Sequence, residues 1–335
     1  MSIAILTSKV GFGTYITAVY IYKQYNCNAY LYCIEDLLNL EEKCKFETKL
    51  KLINVNPLIA EKCSYLPDKT IDESKIENLK ELFQFWAINK IEKFVCFSGK
   101  WDWILNSYSK INPDISVTCV IIDSCPSIIW KKMEETSKFN MRFIYTIKND
   151  SIILLDSYTG YDYTRRLNTI TCHGGGWGLL TESNILKLKD IGFPTIRLLV
   201  PENKESQLDG FEIHKFHCDF CGNFPFEFRT REFTAMHRHP SLDLIGESKC
   251  FVTKPGGMSI IDAIMSETPL ILDSITIGMH EENNRKWILS HKIGIEIENF
   301  TKENVKNGIL DYLYHNIIQL KTKSTLLINE LKHAI

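Results

Sequence analysis

Several features that would assign this chain to a specialised class are missing from its sequence. It has no apolar run long enough to cross a bilayer, no low-complexity segment and no internal repeat of solenoid length. Its 39 Lys and Arg nearly balance its 41 Asp and Glu, and no long basic run occurs. These absences argue against a membrane-spanning helix, a repeat array and electrostatic binding of nucleic acid. Peripheral contact with a membrane stays open.

Signals for secretion are also missing. The first residues, Met1–Thr7, lack the basic region and long apolar core of a signal peptide, and they are typical of a first strand. The eleven cysteines are an odd number, and Cys96 and Cys250 are among those that stand inside apolar runs. Scattered, buried thiols are typical of a reducing compartment. We therefore expect a soluble cytoplasmic protein.

What the sequence does contain is an alternation of short apolar strands with helical stretches. This alternation predicts parallel βαβ units. A chain of 335 residues, 44% of them hydrophobic, is long enough for two domains that each bury a core. Strands are predicted at 2–7, 29–34, 93–98, 117–123, 141–146, 151–156, 168–173, 195–200, 211–216, 250–253, 270–273 and 294–298.

Two segments, 2–24 and 168–191, open in the same way, as strand, glycine loop and helix. The pairing predicts an α/β protein with two Rossmann-like domains that face each other across a cleft. We place the first domain at 1–160 and the second at 167–315. A final helical segment, 316–335, can pack back on the first domain.

The most informative motif runs from Phe251 to Asp262, with the sequence Phe-Val-Thr-Lys-Pro-Gly-Gly-Met-Ser-Ile-Ile-Asp. A strand ends in a turn at Gly256 and Gly257 and leads into a helix, whose first amides have no intrahelical partner. Such a helix N-terminus binds anions. The Ser259 hydroxyl can contact a phosphate there, and Asp262, about one turn further along, can reach a ribose hydroxyl. The motif therefore favours a nucleoside diphosphate.

This motif, continued through the loop 280–285, resembles the donor-nucleotide half of GT-B glycosyltransferases. The likeness is greatest to the peptidoglycan lipid-intermediate N-acetylglucosaminyltransferases and related UDP-glycosyltransferases. The resemblance implies a GT-B fold, with the nucleotide sugar bound by the second domain and the acceptor by the first. It also implies roles for individual residues: Gly256, Gly257, Met258 and Ser259 on the phosphate turn, Asp262 on the ribose, and His280, Glu282, Asn284 and Arg285 on the loop that faces the sugar.

A second glycine loop follows the first predicted strand. Gly13 and Thr14 open a helix there, but the spacing is too short for the dinucleotide fingerprint. The resembling family often carries a His in this loop, and this sequence has Thr14 and Tyr15 instead. An acceptor-contacting loop and a plain structural turn both fit.

A third glycine loop follows the predicted strand 168–173. Three consecutive glycines cost backbone entropy unless another group approaches the chain closely. We interpret this loop as facing the donor, with a structural turn as the alternative. It consists of Gly174, Gly175 and Gly176.

Transfer of a sugar to a hydroxyl is helped by a base that removes the acceptor proton. Asp123 and His173 each end a predicted strand, where open α/β sheets carry functional groups. Glu35 is a third candidate. Each of the three can equally be a hydrogen-bonded structural residue, so the sequence leaves the base open.

A zinc site is the main alternative use of the polar segment after residue 214. Cys218 and Cys221, with His217, His237 and His239 nearby, have ligand-like spacing. A single Cys-x-x-Cys with loosely placed histidines also occurs by chance. Because a helix N-terminus can neutralise a departing diphosphate, we expect no metal and no cofactor.

Three functions are compatible with the sequence. The first is inverting, metal-independent transfer of a sugar from a nucleotide-linked donor, UDP-linked by the resemblance, to a small molecule, peptide, saccharide or lipid-linked acceptor. The second is a nucleotide-sugar 2-epimerase, which would need clustered carboxylates beyond Asp262, Glu281 and Glu282. The third is a non-catalytic partner protein, since the His of the first loop is missing.

Overall fold

The structure is a computed structural model, and it describes residues 2–10, 12–25, 29–56, 58–60, 62, 73–158, 160–201, 209–216 and 240–334. The first half of the chain forms a five-stranded parallel sheet in the order β2-β1-β3-β4-β5. Its elements are β1 (Ile3–Thr7), α1 (Gly13–Tyr25), β2 (Ala29–Cys33), α2 (Leu40–Val55), α3 (Leu79–Ile88), β3 (Lys93–Cys96), α4 (Asp102–Ser109), β4 (Ser116–Ile121), α5 (Ile128–Thr136) and β5 (Asn140–Tyr145).

A short hairpin joins the two halves of the chain. It consists of β6 (Ile147–Lys148) and β7 (Ser151–Leu154), which pair antiparallel. The predicted strand 151–156 therefore belongs to this hairpin and not to a central sheet.

The second half forms a six-stranded parallel sheet in the order β10-β9-β8-β11-β12-β13. Counted from β8, this is the strand order of the dinucleotide-binding Rossmann sheet. Its elements are β8 (Leu167–His173), α6 (Glu182–Lys187), β9 (Thr195–Pro201), β10 (Glu212–Phe216), α7 (Pro240–Gly246), β11 (Ser248–Thr253), α8 (Gly257–Met265), β12 (Leu270–Leu272), α9 (Gly278–Ser290) and β13 (Gly294–Glu296).

The end of the chain returns to the hairpin. After α10 (Lys302–Lys306) and α11 (Ile309–Lys321), the strand β14 (Thr325–Leu326) pairs parallel with β7, and α12 (Leu327–Ala334) follows. The proposed domain boundaries at 160, 167 and 315 stay a prediction. Short 3-10 helices lie at Ile34–Leu37, Glu73–Lys75, Gly99–Trp101, Tyr163–Arg165, Gly175–Trp177, Leu188–Ile191 and Ile297–Asn299.

Burial explains why the strands were recognisable in the sequence. Strands of a parallel sheet are covered on both faces, so they consist of nearly continuous apolar residues. Every residue of β1 and of β12 is buried. The helix α8 is also buried along its whole length, because it packs against α1, α7 and α11. Its first residue is consequently held in a fixed place between the two sheets.

The helix α2 is among those that were not predicted from the sequence. Its apolar residues are divided between two faces, so they show no single helical stripe. Phe46 and Leu50 face a cavity, whereas Leu40 and Leu52 are exposed. Among the described residues, no helix is long and apolar enough to cross a membrane.

Candidate active site

A cavity of about 950 Å³ lies between the carboxyl ends of the two large sheets. The first half lines it mainly with apolar side chains, among them Phe46, Phe97 and Trp130. The second half contributes residues that follow β8 and β11. Open α/β sheets bind ligands at these ends of the strands, so this cavity is the candidate site.

The turn before α8 opens into this cavity. Gly256 precedes the helix in an extended conformation, with φ −73° and ψ 146°, and Gly257 is the first helical residue. The Gly257 amide donates a hydrogen bond of 3.1 Å to the Asp123 carboxylate. A Cβ on Gly257 would lie 2.2 Å from the carbonyl oxygen of Ile122. A carboxylate from the opposite half therefore occupies the position at which the helix N-terminus is expected to bind an anion.

Asn284 strengthens this contact between the two halves. Its Nδ2 donates to the Asp123 carboxylate at 2.8 Å and to the Pro255 carbonyl at 3.0 Å. Its Oδ1 accepts a 2.8 Å hydrogen bond from the Ser124 amide. Asn284 is fully buried. The structure thus brings together a predicted base, a predicted sugar-loop residue and the predicted phosphate turn.

Ser259 and Asp262 lie further along the same helix and line the cavity. The Ser259 hydroxyl accepts a 3.1 Å hydrogen bond from the Thr253 hydroxyl. Asp262 is 4% exposed, and its Oδ1 has no hydrogen-bond partner among the described residues. Burial raises the pKa of Asp262 to about 8. Since a buried polar atom without a partner is costly, a ligand hydroxyl is the kind of group this carboxyl lacks.

The first residues of α1 pack directly on the phosphate turn. A Cβ on Gly13 would lie 3.0 Å from Ile122 Cδ1 and 3.4 Å from Met258 Cβ. The Thr14 hydroxyl donates to the Ser8 carbonyl at 3.0 Å, and both Gly13 and Thr14 line the cavity. The start of α1 therefore contacts the rest of the protein on one side and is open to the cavity on the other.

The three glycines after β8 have different surroundings. A Cβ on Gly174 would lie 2.3 Å from the Leu179 amide nitrogen, and one on Gly176 would lie 1.9 Å from the Phe12 ring. Close packing therefore explains these two glycines. Gly175 and Gly176 both line the cavity, and Gly175, which lies beside Lys254, has a positive φ of 69°.

Sequence reasoning missed an ion pair in the cavity wall. Lys254 follows β11 directly, and its ammonium contacts the carboxylate of Glu281. Both side chains are nearly buried, with 11% and 5% exposed. The other carboxylate oxygen of Glu281 accepts a 2.7 Å hydrogen bond from the Ile277 amide. A lysine immediately before the glycine turn was the available signal, because residues there must face the same cavity as the turn.

The predicted sugar loop forms the start of α9, and its helical phase separates its members. Glu281 and Asn284 are three residues apart and share the buried face. Glu282 and Arg285 follow them by one position, about 100° around the helix, and neither lines the cavity. The Arg285 guanidinium bonds the Glu296 carboxylate and the Asp273 carbonyl. His280 lines the cavity. The sugar-facing roles stay a prediction.

No known family profile and no curated protein sequence matches this chain. Solved structures do match. The glycosyltransferase SnogD from Streptomyces nogalater aligns over 96% of this chain and 94% of its own, with a TM-score of 0.56 and 9% identity. MurG from Acinetobacter baumannii aligns over 98% of this chain and 97% of its own, with a TM-score of 0.54 and 10% identity. The glycosyltransferase SsfS6 from Streptomyces sp. SF2575, complexed with thymidine diphosphate, aligns over 96% of this chain and 95% of its own. Its TM-score is 0.55 and its identity to this chain is 8%.

The chain has the GT-B fold. In this GT-B chain, the three candidate bases have distinct environments. Burial, with a smaller effect of the nearby Lys254 charge, lowers the pKa of His173 to about 3. An imidazole with that pKa is a weak proton acceptor at neutral pH. Glu35 is buried and accepts hydrogen bonds from the Ser8 hydroxyl at 2.5 Å and the Lys9 amide at 2.9 Å. Asp123 lines the cavity, and the choice between the candidates remains a prediction.

The described residues contain no group of three or more His, Cys, Asp and Glu side chains that could hold a metal ion. The Cys218 and Cys221 cluster lies outside the described residues. It is therefore not tested by the structure.

Proposed function

We propose that this chain is a glycosyltransferase of the hexosyltransferase type, which moves a sugar from a nucleotide-sugar donor, UDP-linked, to an acceptor. Transfer inverts the anomeric centre and uses no metal. The GT-B fold and the position of the cavity support this proposal. The acceptor would enter along the apolar wall that Phe46 and Trp130 help to line.

One observation supports it most directly. The Gly256–Ser259 turn at the start of a helix lines the cavity, and Asp262 stands about one helical turn further with an unpartnered carboxyl oxygen. A ribose hydroxyl would satisfy that oxygen, and a diphosphate on the turn would replace the Asp123 carboxylate at the Gly257 amide. Asp123 and Asn284 connect the two halves of the chain at this same turn. Binding there would therefore join the donor to the face that carries the acceptor.

The chemistry follows from these positions. As the bond from the sugar C1 to the diphosphate breaks, negative charge develops on the leaving phosphate oxygen. The unpaired amides of a helix N-terminus stabilise such charge without a metal. An acceptor hydroxyl approaching from the opposite face needs a base, and Asp123 is the predicted base that lines the cavity from the first half.

A thermal-shift screen with UDP, GDP, dTDP and their sugars tests the proposal, because a bound ligand stabilises the native state by mass action. We expect at least one nucleoside diphosphate to raise the unfolding temperature. The matching nucleotide sugar should then be hydrolysed slowly in the absence of acceptor. If no nucleotide in the panel binds, the proposal is wrong.

A further inference from the structure

The helix α2 exposes a largely apolar stripe on the side that faces away from the cavity. Four exposed residues follow one another at intervals of four positions, so they lie along one side of the helix: Leu40, Cys44, Thr48 and Leu52. The two leucines keep 73% and 51% of their surface accessible. Contiguous apolar surface is typical of interaction sites, whereas single exposed leucines are ordinary. We call these four residues the outer stripe of α2.

Two opposite charges lie at the two ends of the outer stripe. Glu41 follows Leu40 at the start of the helix, and Lys51 precedes Leu52 near its end. Both charged side chains are exposed. At 100° per residue, both fall within about 40° of the middle of the stripe, so they share its side of the helix. The stripe therefore carries negative charge at one end and positive charge at the other.

This arrangement is complementary to itself when two copies of α2 lie antiparallel. Glu41 of one copy then lies at the level of Lys51 of the second copy, and Leu40 lies at the level of Leu52. A two-fold axis repeats each of these contacts at the other end of the stripe. Parallel helices in register would instead set equal charges side by side. The charge pattern thus favours a second copy in the antiparallel orientation.

A second copy also fits the outer stripe better than a lipid surface does. Glu41 stands on the side of the helix that would enter the lipid, where a carboxylate is repelled by anionic headgroups and is costly to bury. In the antiparallel pair, Glu41 instead lies near Lys51 of the second copy. It can keep its 2.6 Å ion pair with Lys45 of its own helix at the same time.

We propose that two copies of this chain associate through the outer stripes of α2, which lie antiparallel with Cys44 of each copy opposite Thr48 of the other. This inference goes beyond the proposed function and does not depend on it. A helix of 16 residues is about 24 Å long, so the contact is small beside a standard interface of about 800 Å² per partner. The dimer is therefore weak, with a dissociation constant of roughly 10–100 μM.

The opposite side of α2 belongs to the candidate site. Phe46 and Leu50 line the cavity. Ile53 lies in one buried cluster with Leu179 and Ile277 of the second half. A second copy on the outer stripe would consequently support, from outside, the helix that forms one wall of the cavity. Because association stabilises the native state, the unfolding temperature should rise with protein concentration.

Sedimentation of the full chain, at concentrations on both sides of the expected dissociation constant, measures the association. Leu40→Ser/Leu52→Ser removes both leucines of the stripe. Ile88→Ser changes an isoleucine of α3 that is 79% exposed and serves as the matched control. Each substitution acts twice in a two-fold dimer, so we expect the double variant to raise the dissociation constant by at least about tenfold. Ile88→Ser should leave it unchanged.

A charge exchange tests the pairing of the two ends of the stripe. Glu41→Lys brings two like charges together at each end of the dimer. Exposed ion pairs are individually weak, so we expect this variant to raise the dissociation constant by about three- to tenfold. Glu41→Lys/Lys51→Glu restores opposite charges across the contact, and it should recover most of the wild-type association.

A cysteine substitution tests the antiparallel register. Thr48→Cys introduces a thiol opposite Cys44 of the second copy, so oxidised glutathione should link two chains through disulfide bonds. Among the described cysteines, Cys44 is the only exposed one. Ser151→Cys, an exposed change in the hairpin, is the control for random collision. It should form much less covalent dimer under the same conditions.

Four results would overturn the inference. The first is a folded wild type that stays monomeric over the whole concentration range. The second is equal dimerisation of the wild type and Leu40→Ser/Leu52→Ser, since another surface would then form the contact. The third is cross-linking of Thr48→Cys that is no better than that of Ser151→Cys, which would refute the antiparallel register. The fourth is flotation of monomeric wild type with phosphatidylserine–phosphatidylcholine vesicles that the double serine variant loses, which would assign the stripe to a membrane.

Discussion

Asp123 offers the sharpest test of the donor site. Its carboxylate accepts a hydrogen bond from the Gly257 amide, which is the group that a diphosphate would need. Its Oδ1 accepts from the Gly257 amide at 3.1 Å and from Asn284 Nδ2 at 2.8 Å. A donor bound at this turn must displace it. The variant Asp123→Asn keeps the size and one acceptor oxygen of the side chain but removes the charge.

The expected effect follows from the strengths of the two hydrogen bonds. A hydrogen bond to a charged group is worth about 1.5–3 kcal/mol, and a neutral one about 0.5–1.5 kcal/mol. Losing the charge should weaken the contact by about 1.5 kcal/mol, which is about tenfold in an equilibrium constant. Since apparent affinity rises with the population of the open site, Asp123→Asn should bind the free nucleoside diphosphate up to about tenfold more tightly.

Calorimetry measures this binding, and turnover measured in parallel separates the second role proposed for Asp123. If Asp123 is also the base, turnover should fall by about 10²- to 10⁴-fold while nucleotide affinity rises. Asp114→Asn, an exposed change in the same half, is the matched control. Unchanged or weaker nucleotide binding by folded Asp123→Asn would refute the idea that the carboxylate competes for the turn.

Four further predictions concern the donor site and its independence of metal. The pKa of Asp262 is about 8 in the folded protein, against an ordinary value of 3.8. Between these two pH values the folded state binds more protons than the unfolded state, so the free energy of unfolding should fall as pH rises from about 4 to about 8. Urea denaturation should show this fall in the wild type and not in Asp262→Asn. With a pKa of about 8 the Asp262 carboxyl is mostly protonated at neutral pH, so its hydrogen bond to the ribose is a neutral one, worth about 0.5–1.5 kcal/mol. Asp262→Ala should therefore bind the nucleoside diphosphate about two- to tenfold more weakly in calorimetry, and unchanged affinity in a folded protein would leave Asp262 without that role. Gly257→Ala should destabilise the protein by about 1–3 kcal/mol in urea, since its Cβ would meet the Ile122 carbonyl, whereas Gly256→Ala, with no atom closer than 3.4 Å, should have little effect. Turnover should survive EDTA, and a loss that zinc restores would instead support the Cys218 and Cys221 cluster.

Much of the fold could be predicted from local patterns. The twelve strands expected from apolar runs all occur, with ends that differ by a few residues, because a buried parallel strand needs a continuous apolar segment. The strand–turn–helix at Gly256 was predictable for the same reason, since two glycines between an apolar strand and a helical pattern allow few other structures. The helix α2 was not, because its apolar residues face both the cavity and the solvent.

The roles of single side chains depended on helical phase and could be assigned only in part. Asp262 and Ser259 line the cavity, and their roles towards a nucleotide stay a prediction. Glu282 was chosen over Glu281 by its place in the motif, but the first turn of α9 directs Glu281 to the interior. A displacement of one residue changes the direction of a helical side chain by about 100°, and a sequence does not state where the helix begins to that accuracy.

The sequence by itself determined which segments are strands and which turn presents its amides, because those properties depend on neighbouring residues. Only the tertiary structure decided that Asp123 meets Gly257, 134 positions later, and that Lys254 meets Glu281. Such pairs depend on strand order and on how closely the two sheets approach each other. Both are set by the packing of whole elements such as α1 against α8, and no local pattern of residues encodes that distance.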